Sequence, residues 1–353
     1  MKIGGKKQNA MPTQAVVASA AGVSQQTVSQ ALSGTGRISE SVRRHVIEVA
    51  NKLEYRPNKM ALALRRNDHG TIGLIGLGDS NRSFVPNVLL QNLQASLLKI
   101  HKHLALVPVL PSEIDALKDN PGKLGIDGAF VNITRGDIRP LLNIFQSAGI
   151  PEIWINNKQK YNCVYPDDYG ASFQITSFLT SRQYLGIGFV GYSRRPDRQV
   201  GENHYSVKDR YLGYRDAMAG AGIKATHFII DEMTTDSLRS FLKMAQPSPV
   251  LLCYELNHAL RVLLIAKTAG VKIPEELKII YFHESPYWDK ELDAMIRCLP
   301  IPNDKLAEAA IAMYENKNRT QAKNVRSVPV PYDSSYFKHV LTTRDYVDIV
   351  EGK

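Results

Sequence analysis

This sequence of 353 residues predicts an N-terminal all-α domain with a helix-turn-helix, followed by a larger α/β region whose parallel sheets form two lobes. Three observations carry that expectation. The first is charge: 44 Lys and Arg against 34 Asp and Glu leave a net +10, and residues 1–70 hold eleven of the basic and four of the acidic side chains. That fifth of the chain carries +7, and the remainder only +3. The second is a change of pattern near Thr71, from short aromatic-poor helical stretches to apolar runs alternating with amphipathic ones. The third is an ordinary globular composition, 44% apolar and 22% charged, which excludes a mainly disordered chain, a collagen and a disulfide-stapled miniprotein. A basic excess favours a polyanionic partner and says nothing of fold.

Residues 1–11 are polar, glycine-containing and basic, and read as a flexible arm. Lys6-Lys7 followed by Val17-Ala18-Ser19-Ala20-Ala21 imitates a signal peptide. Gln8, Asn9, Pro12, Thr13 and Gln14 leave no apolar stretch between them, so secretion is rejected. Residues 12–56 are the expected helix-turn-helix domain. Two helices crossing steeply need a small residue where they touch, and Ala18 supplies it. Four positions on, Gly22 supplies the positive φ of a tight turn. Val17, Ala21, Val23, Val28 and Ala31 then fall on the buried side, with Ser24 placed to cap the second helix. Ser39 is placed to cap a third, whose Val42, Val46, Val49, Ala50 and Leu53 share one face. A generic three-helix cluster is the plain alternative. The joint spacing of small residue, glycine and apolar positions favours DNA binding.

A second helix of this kind enters the major groove by its N-terminal residues. Ser24, Gln25, Gln26, Thr27, Ser29 and Gln30 are the candidates there. Glutamine pairs with the adenine edge, and serine or threonine reaches bases or phosphates. No Lys or Arg lies between Lys7 and Arg37, so charge flanks this helix and does not sit on it. Thr13, Arg37, Asn58 and Lys59 are assigned to the DNA backbone. Arg43, Arg44, Arg65 and Arg66 are further phosphate candidates, with a solvated surface as the alternative for each.

Residues 57–70 are a short basic segment and linker. Beyond it, strands are expected at Ile72–Leu77, Leu104–Val109, Gly128–Ile133, Ile153–Ile155, Ile187–Val190, Phe228–Ile230, Val250–Cys253 and Lys278–Phe282. Helical patterns lie between several of them, at Val88–Ile100, Ala171–Ser181, Arg210–Ala221 and Asn257–Gly270. Continuous apolar strands alternating with helices indicate parallel sheets covered on both faces. Residues 71–332 are more than one compact sheet needs, hence two lobes. The tail, 333–353, shows no sustained leucine heptads, so no coiled-coil tetramer is expected.

The segments Val17-Ala18, Ala21-Gly22-Val23-Ser24, Thr27-Val28-Ser29, Ala31-Leu32, Ile38-Ser39, Tyr55-Arg56-Pro57-Asn58 and Ile72-Gly73-Leu74-Ile75 resemble the lactose-repressor (LacI/GalR) family of bacterial transcription regulators. The similarity runs from about residue 12 to 330, strong in the first 65 and diffuse beyond. It implies that Asn58–Arg65 is a hinge helix that folds on DNA and pairs with its dimer mate. Ala61 and Leu64 would enter the minor groove, Leu64 as a wedge that unstacks a base step. An isolated helix of this length is marginal in water, which agrees with folding only on DNA. Gln14 and Ala15-Val16 depart from the family's usual residues in the first helix.

The resemblance further implies a two-lobed effector domain, periplasmic-binding-protein-like, with a ligand cleft between its lobes and a homodimer built on it. Arg210-Tyr211-Leu212-Gly213-Tyr214 is similar to the family's Arg-x-x-Gly-aromatic segment, whose arginine anchors ligand. Asp79 to Phe84 stands where the family has a cleft loop, so Asn81, Ser83 and Phe84 are candidates. Asp167-Asp168-Tyr169-Gly170 resembles a crossover segment in which Asp167 binds a hydroxyl or orients the chain. Glu255, His283 and its neighbour Glu284 stand at positions where the family carries other residues, and the aromatic platform is replaced near Met233. These changes imply an altered specificity: the expected effector is a sugar or sugar derivative, with a ligand other than a plain neutral hexose left open, and the alternative is a decayed site that reads a protein or redox signal. The implied function is a cytoplasmic, dimeric regulator, most often a repressor, of a pseudo-palindromic DNA operator.

Rival classes are an α/β enzyme and a solute-binding protein without operator binding. Gly73, Gly76 and Gly78 follow a strand, but the dinucleotide spacing fails at Asn81. No catalytic motif, cofactor site or metal site is expected, and His101-Lys102-His103 imitates a metal pair only superficially. Cys163, Cys253 and Cys298 are scattered, which argues for a reducing compartment and three small core hydrophobes. No apolar run approaches the roughly 20 residues of a membrane helix.

Overall fold

The computed structural model describes residues 12–34, 36–56, 69–77, 85–133, 139–194, 204–247, 249–284, 290–339 and 341. The chain divides into two compact units, Met1–His69 and Gly70–Lys353.

The first unit holds helices α1 (Gln14–Ala21), α2 (Gln25–Ser33) and α3 (Glu40–Lys52). Each begins on a hydroxyl that accepts a backbone N–H which would otherwise lack a partner. Thr13 receives Val16 N, Ser24 receives Thr27 N and Ser39 receives Val42 N. Gly22 ends α1 at φ +66°, and Gly34 ends α2 at φ +70°. Val17, Ala18, Ala21, Val28, Ala31, Val46 and Ala50 form the core, with Val42, Val49 and Leu53 against it.

The second unit contains two wholly parallel sheets. Lobe 1 comprises β1 (Thr71–Leu77), β2 (His103–Val109), β3 (Gly128–Val131), β4 (Glu152–Ile155), β5 (Cys163–Pro166) and β11 (Val328–Val330), in the order β11-β5-β4-β3-β1-β2. Lobe 2 comprises β6 (Ile187–Gly191), β7 (Thr226–Ile229), β8 (Val250–Cys253), β9 (Lys278–His283) and β10 (Ile296–Pro300), in the order β10-β9-β8-β6-β7. The eight expected strands are present with ends shifted by one or two residues. Three more were not expected: β5, β10 and β11. The last two are edges, and all three are short runs interrupted or closed by Pro, Tyr or Arg.

Helices cover both faces of each sheet, so each lobe has two apolar layers. In lobe 1, α4 (Asn87–Lys99) and α12 (Asn303–Thr320) bury Leu89, Leu93, Leu97, Leu306 and Ala310 on one face. On the other, α6 (Arg139–Ala148) buries Leu141, Ile144 and Phe145. The short α5 (Ile114–Asp119) packs beside α6. In lobe 2, α7 (Asp168–Thr180) and α8 (Tyr205–Gly220) cover one face, and α9 (Thr235–Met244) and α10 (Leu256–Thr268) the other. The three cysteines are buried free thiols.

The chain crosses between lobes three times. It leaves lobe 1 after β5 through α7 and returns after β10 through α12. It crosses again after β11, where Tyr332 and Phe337 of the short α13 (Tyr336–His339) join the lobe 2 core.

Helices α7 and α8 meet backbone to backbone. A Cβ on Gly213 would lie 2.3 Å from the Tyr169 carbonyl oxygen and 2.8 Å from Phe173 N. Backbone atoms cannot swing aside as a flexible side chain can. Gly213→Ala therefore separates the helices, and we expect a loss of about 1–3 kcal/mol of stability despite alanine's better helix propensity. Gly22→Ala meets nothing within 4 Å, so only its φ of +66° is strained, at a cost of about 1–2 kcal/mol. Urea unfolding of both variants checks this. A Gly213→Ala protein as stable as the parent would show that the approach is not tight.

Candidate functional site

The start of α2 is the exposed head of the first unit. Ser24 Oγ accepts from Thr27 N at 3.1 Å and lies 2.9 Å from Thr27 Oγ1, so the two hydroxyls satisfy each other. Gln25 and Gln26 are exposed, and Thr27, Ser29 and Gln30 are half-buried. The Gln30 side chain lies over Gly36, where a Cβ would come within 2.5 Å of it. Arg43 is less available than the sequence suggested. Its Nη1 donates to the carbonyls of Gln30 and Ala31 at 3.2 and 3.3 Å, at the negative end of the α2 dipole. Arg37 and Arg44 are exposed, as are Lys52 and Arg56. Thr13 is exposed and caps α1. Asn58, Lys59, Ala61 and Leu64, with the rest of the expected hinge helix, lie outside the described residues.

In the second unit a cavity of about 230 Å³ opens between the lobes. Parallel sheets place their ligands beyond the carboxyl ends of the strands, and this cavity obeys that rule. Lobe 1 supplies Asn132 after β3 and Asn156 after β4. Lobe 2 supplies Tyr254 and Glu255 after β8, and His283 and Glu284 at the end of β9. The N-terminal turn of α8 adds His204, Ser206 and Arg210.

Arg210 is the most constrained of these. Its Nε donates to Asp168 Oδ1 at 2.7 Å, Nη1 to the Tyr254 carbonyl at 2.6 Å and Nη2 to the Tyr332 hydroxyl at 3.4 Å. The guanidinium carbon lies 4.9 Å from the ring centre of Tyr254 and 4.5 Å from that of Phe282. Residue 210 is 5% exposed and Asp168 1%. Burial disfavours the charge, but the facing Asp168 and the tyrosines outweigh it, so the Arg210 pKa is raised and the group stays charged. A hydrogen-bond chain runs beside it. His204 Nε2 lies 2.8 Å from the Asn156 carbonyl and must donate there, so Nδ1 accepts from Ser206, 2.7 Å away. Ser206 Oγ in turn lies 2.7 Å from the Tyr254 hydroxyl.

The acids behave differently. A hydrogen bond from His258 chiefly lowers the Glu255 pKa, the Nδ1 to Oε1 distance being 3.4 Å. Burial raises the Glu284 carboxyl to about 7 and lowers His283.

Of the expected effector residues, Arg210, Glu255 and His283 are brought together here. Asp167 is not: its Oδ1 accepts Gly170 N at 3.0 Å and caps α7, leaving the next residue, Asp168, to face Arg210. Met233 is not either. It is 6% exposed in the lobe 2 core, packed with Val190, Leu251 and Cys253. Asn81, Ser83 and Phe84 lie outside the described residues. Sequence reasoning overlooked Asn132, Asn156 and His204. The first two follow directly on apolar strands, a position that could have marked them.

A family model described as bacterial regulatory proteins, lacI family, matches residues 16–58, and a periplasmic binding protein-like domain matches 176–333. Catabolite control protein A of Staphylococcus xylosus is 27% identical over 282 residues, covering 76% of this chain and 81% of that one. The HTH-type transcriptional repressor CytR of Escherichia coli (strain K12) is 24% identical over 298 residues, covering 78% and 81%. Residues 16–58 thus carry the domain that marks bacterial regulatory proteins of the lacI family. Its fold matches that of the lac repressor dimer bound to operator and the anti-inducer ONPF, with a TM-score of 0.70 at 16% identity, covering 91% of this chain and 96% of that one. With that domain the chain is a DNA-binding transcriptional regulator, as its relative CytR is named a transcriptional repressor. Among the described residues no helix is long and apolar enough to cross a membrane, and no group of three or more His, Cys, Asp or Glu is set to hold a metal.

Glu284 makes a pH prediction. Its folded pKa of about 7 exceeds the ordinary 4.5, so between those values the folded state binds more protons than the unfolded one. Stability contributed by this group is therefore present at low pH and lost as pH rises through about 7. Glu284→Gln should flatten that decline. Urea unfolding at about pH 5 and about pH 8 measures it, and equal declines in parent and variant would contradict the assignment.

Proposed function

We propose that this regulator is a repressor that grips a pseudo-palindromic operator as a homodimer, in the cytoplasm, under the control of a small sugar-like effector held between the two lobes. The observation that carries the reading is the head of α2. It is a serine-capped helix whose first turn offers Gln25 and Gln26 to a groove, with no charge of its own and with exposed Arg37 and Arg44 following it in sequence. Gln25, Gln26, Thr27, Ser29 and Gln30 read bases in this account, while Thr13, Arg37, Asn58 and Lys59 hold phosphates and Ala61 and Leu64 enter the minor groove. Ser24 supports the helix start and contacts DNA only as its cap geometry allows. No catalytic step belongs to this reading.

The cleft supplies control. A ligand changes operator affinity only by binding one lobe arrangement better than another, a coupling of about 1–3 kcal/mol in typical cases. Arg210, Glu255 and His283 are proposed contacts, with Asn132, Asn156, His204 and Ser206 added by the cavity. Asn81, Ser83 and Phe84 remain proposed from the sequence. Arg210 is as much a strut as an anchor, because Asp168, Tyr254 and Tyr332 already occupy part of its fork.

Selecting genomic fragments with the purified protein, followed by gel shifts, tests the operator reading. Expected are inverted half-sites, and for Gln26→Ala a loss of about 1–3 kcal/mol with relaxed choice at one position per half-site. Sequence-independent binding that vanishes at moderate salt would overturn the reading. For the cleft, Arg210→Lys keeps a charge against Asp168 but loses the fork. We expect the response to effector to weaken while operator affinity stays within about twofold of the parent. An undiminished response would remove Arg210 from the ligand contacts.

A further inference from the structure

The charges around the cavity do not cancel, and this restricts what can fill it. Among the described lining residues Arg210 is the permanent cation, and the Asp168 carboxylate 2.7 Å from its Nε already balances it. His283 is held neutral at pH 7 by burial. His204 is tied on both ring nitrogens, to Ser206 and to the Asn156 carbonyl.

Two carboxyls remain. Glu255 stands at the N-terminus of the 13-residue α10, where the helix dipole favours a negative charge. Its neighbour His258 is 5% exposed, and the His258 Nε2 is buried without a partner. The His258 Nδ1 lies 3.4 Å from Glu255 Oε1. Glu284, at the end of β9, has a carboxyl with no hydrogen-bond or ion-pair partner among the described residues, and burial alone holds its pKa up. An acceptor-rich wall of this kind suits a cation, which a neutral sugar does not provide.

The rest of the cavity suits a small polyol. Its volume of about 230 Å³ is below the range of roughly 300–1,000 Å³ that holds drug-sized ligands, and is of monosaccharide scale. The amides of Asn132, Asn156 and Asn303 and the Ser206 hydroxyl line it, and such groups exchange hydrogen bonds with hydroxyls in both directions.

We propose that the effector is a monosaccharide-sized polyhydroxylated amine, whose ammonium group is received by Glu255 and Glu284 on the lobe 2 wall. This rests on the cleft being the effector site. A primary ammonium supplies a charge and three N–H donors to the Glu284 carboxyl, which has no partner among the described residues, and to Glu255 beside His258.

The test uses the full-length protein and matched probes: D-glucosamine, D-glucose and N-acetyl-D-glucosamine, with the corresponding galactose and mannose trios. Calorimetric titration gives affinity, and thermal unfolding gives a shift that follows from it. The expected result is that one of the amines binds at least about tenfold more tightly than its hexose and N-acetyl counterparts, equivalent to about 1.4 kcal/mol. Glu284→Gln should reduce that preference to less than about threefold. Glu255→Gln is the second variant and should do the same if the first fails to fold. A hexose that binds as tightly as its amine overturns the ammonium proposal and leaves the cleft reading in place. If no probe binds, the ammonium proposal also falls. The cleft reading falls separately only if nucleosides and acidic sugars also leave the unfolding temperature unmoved.

Discussion

The ion pair between Arg210 and Asp168 is the constraint on which the effector domain is arranged. Asp168 opens α7, on the first crossing out of lobe 1, and Tyr332 lies just beyond β11, on the third. Both reach Arg210, and the Tyr332 hydroxyl also donates to Asp168 Oδ1 at 2.8 Å. The Tyr254 carbonyl at the end of β8 takes a further N–H. Three separate segments thus meet on one guanidinium, which also lies against the rings of Tyr254 and Phe282. Removing one member of such a buried pair costs about 3–5 kcal/mol, because it leaves the other charge uncompensated. The cavity between the lobes is built against this knot, so Arg210 links its wall to both crossings. Gly213, three residues on, allows α8 to lie against α7 closely enough for the knot to close.

The two units solve opposite electrostatic problems. Helix α2 is uncharged, and the exposed Arg37, Arg44, Lys52 and Arg56 lie elsewhere in the first unit. Arg43 shows why counting basic residues is not enough: it spends its charge on the α2 carboxyl end. In the cavity between the lobes, by contrast, Arg210, Glu255, His283 and Glu284 line one space.

Much of this was legible in the sequence, and the reasons are physical. The helix-turn-helix depends on local determinants, Ala18, Gly22 and Ser24, which act within a few residues of themselves. The parallel strands are legible where burial on both faces makes them continuously apolar, as in Val250–Cys253. Strands β5, β10 and β11 are not, because pairing with distant neighbours and not composition makes them strands. The cavity was legible only in part. Arg210, Glu255 and His283 stood in recognisable segments. Adjacent acids cannot be told apart without the helix start: about 100° of rotation per residue sends Asp167 to the cap and Asp168 to the arginine. Met233 was placed by position along the chain, but a thioether finds its energy in the core.

Every strand of the lobe 2 sheet lies within one continuous stretch, from β6 at Ile187 to β10 at Pro300, while lobe 1 is completed by β11 at Val328–Val330. Lobe 2 is in effect an insertion within lobe 1. On the ribosome the order of sheet completion is therefore inverted: the sheet that begins first finishes last, and Tyr332 and Phe337 then follow to close the lobe 2 core. The nascent chain must hold an open lobe 1 edge at β5 until the distal segment emerges. Chain order and folding order part company in this molecule, and it is the edge beside β5 that waits.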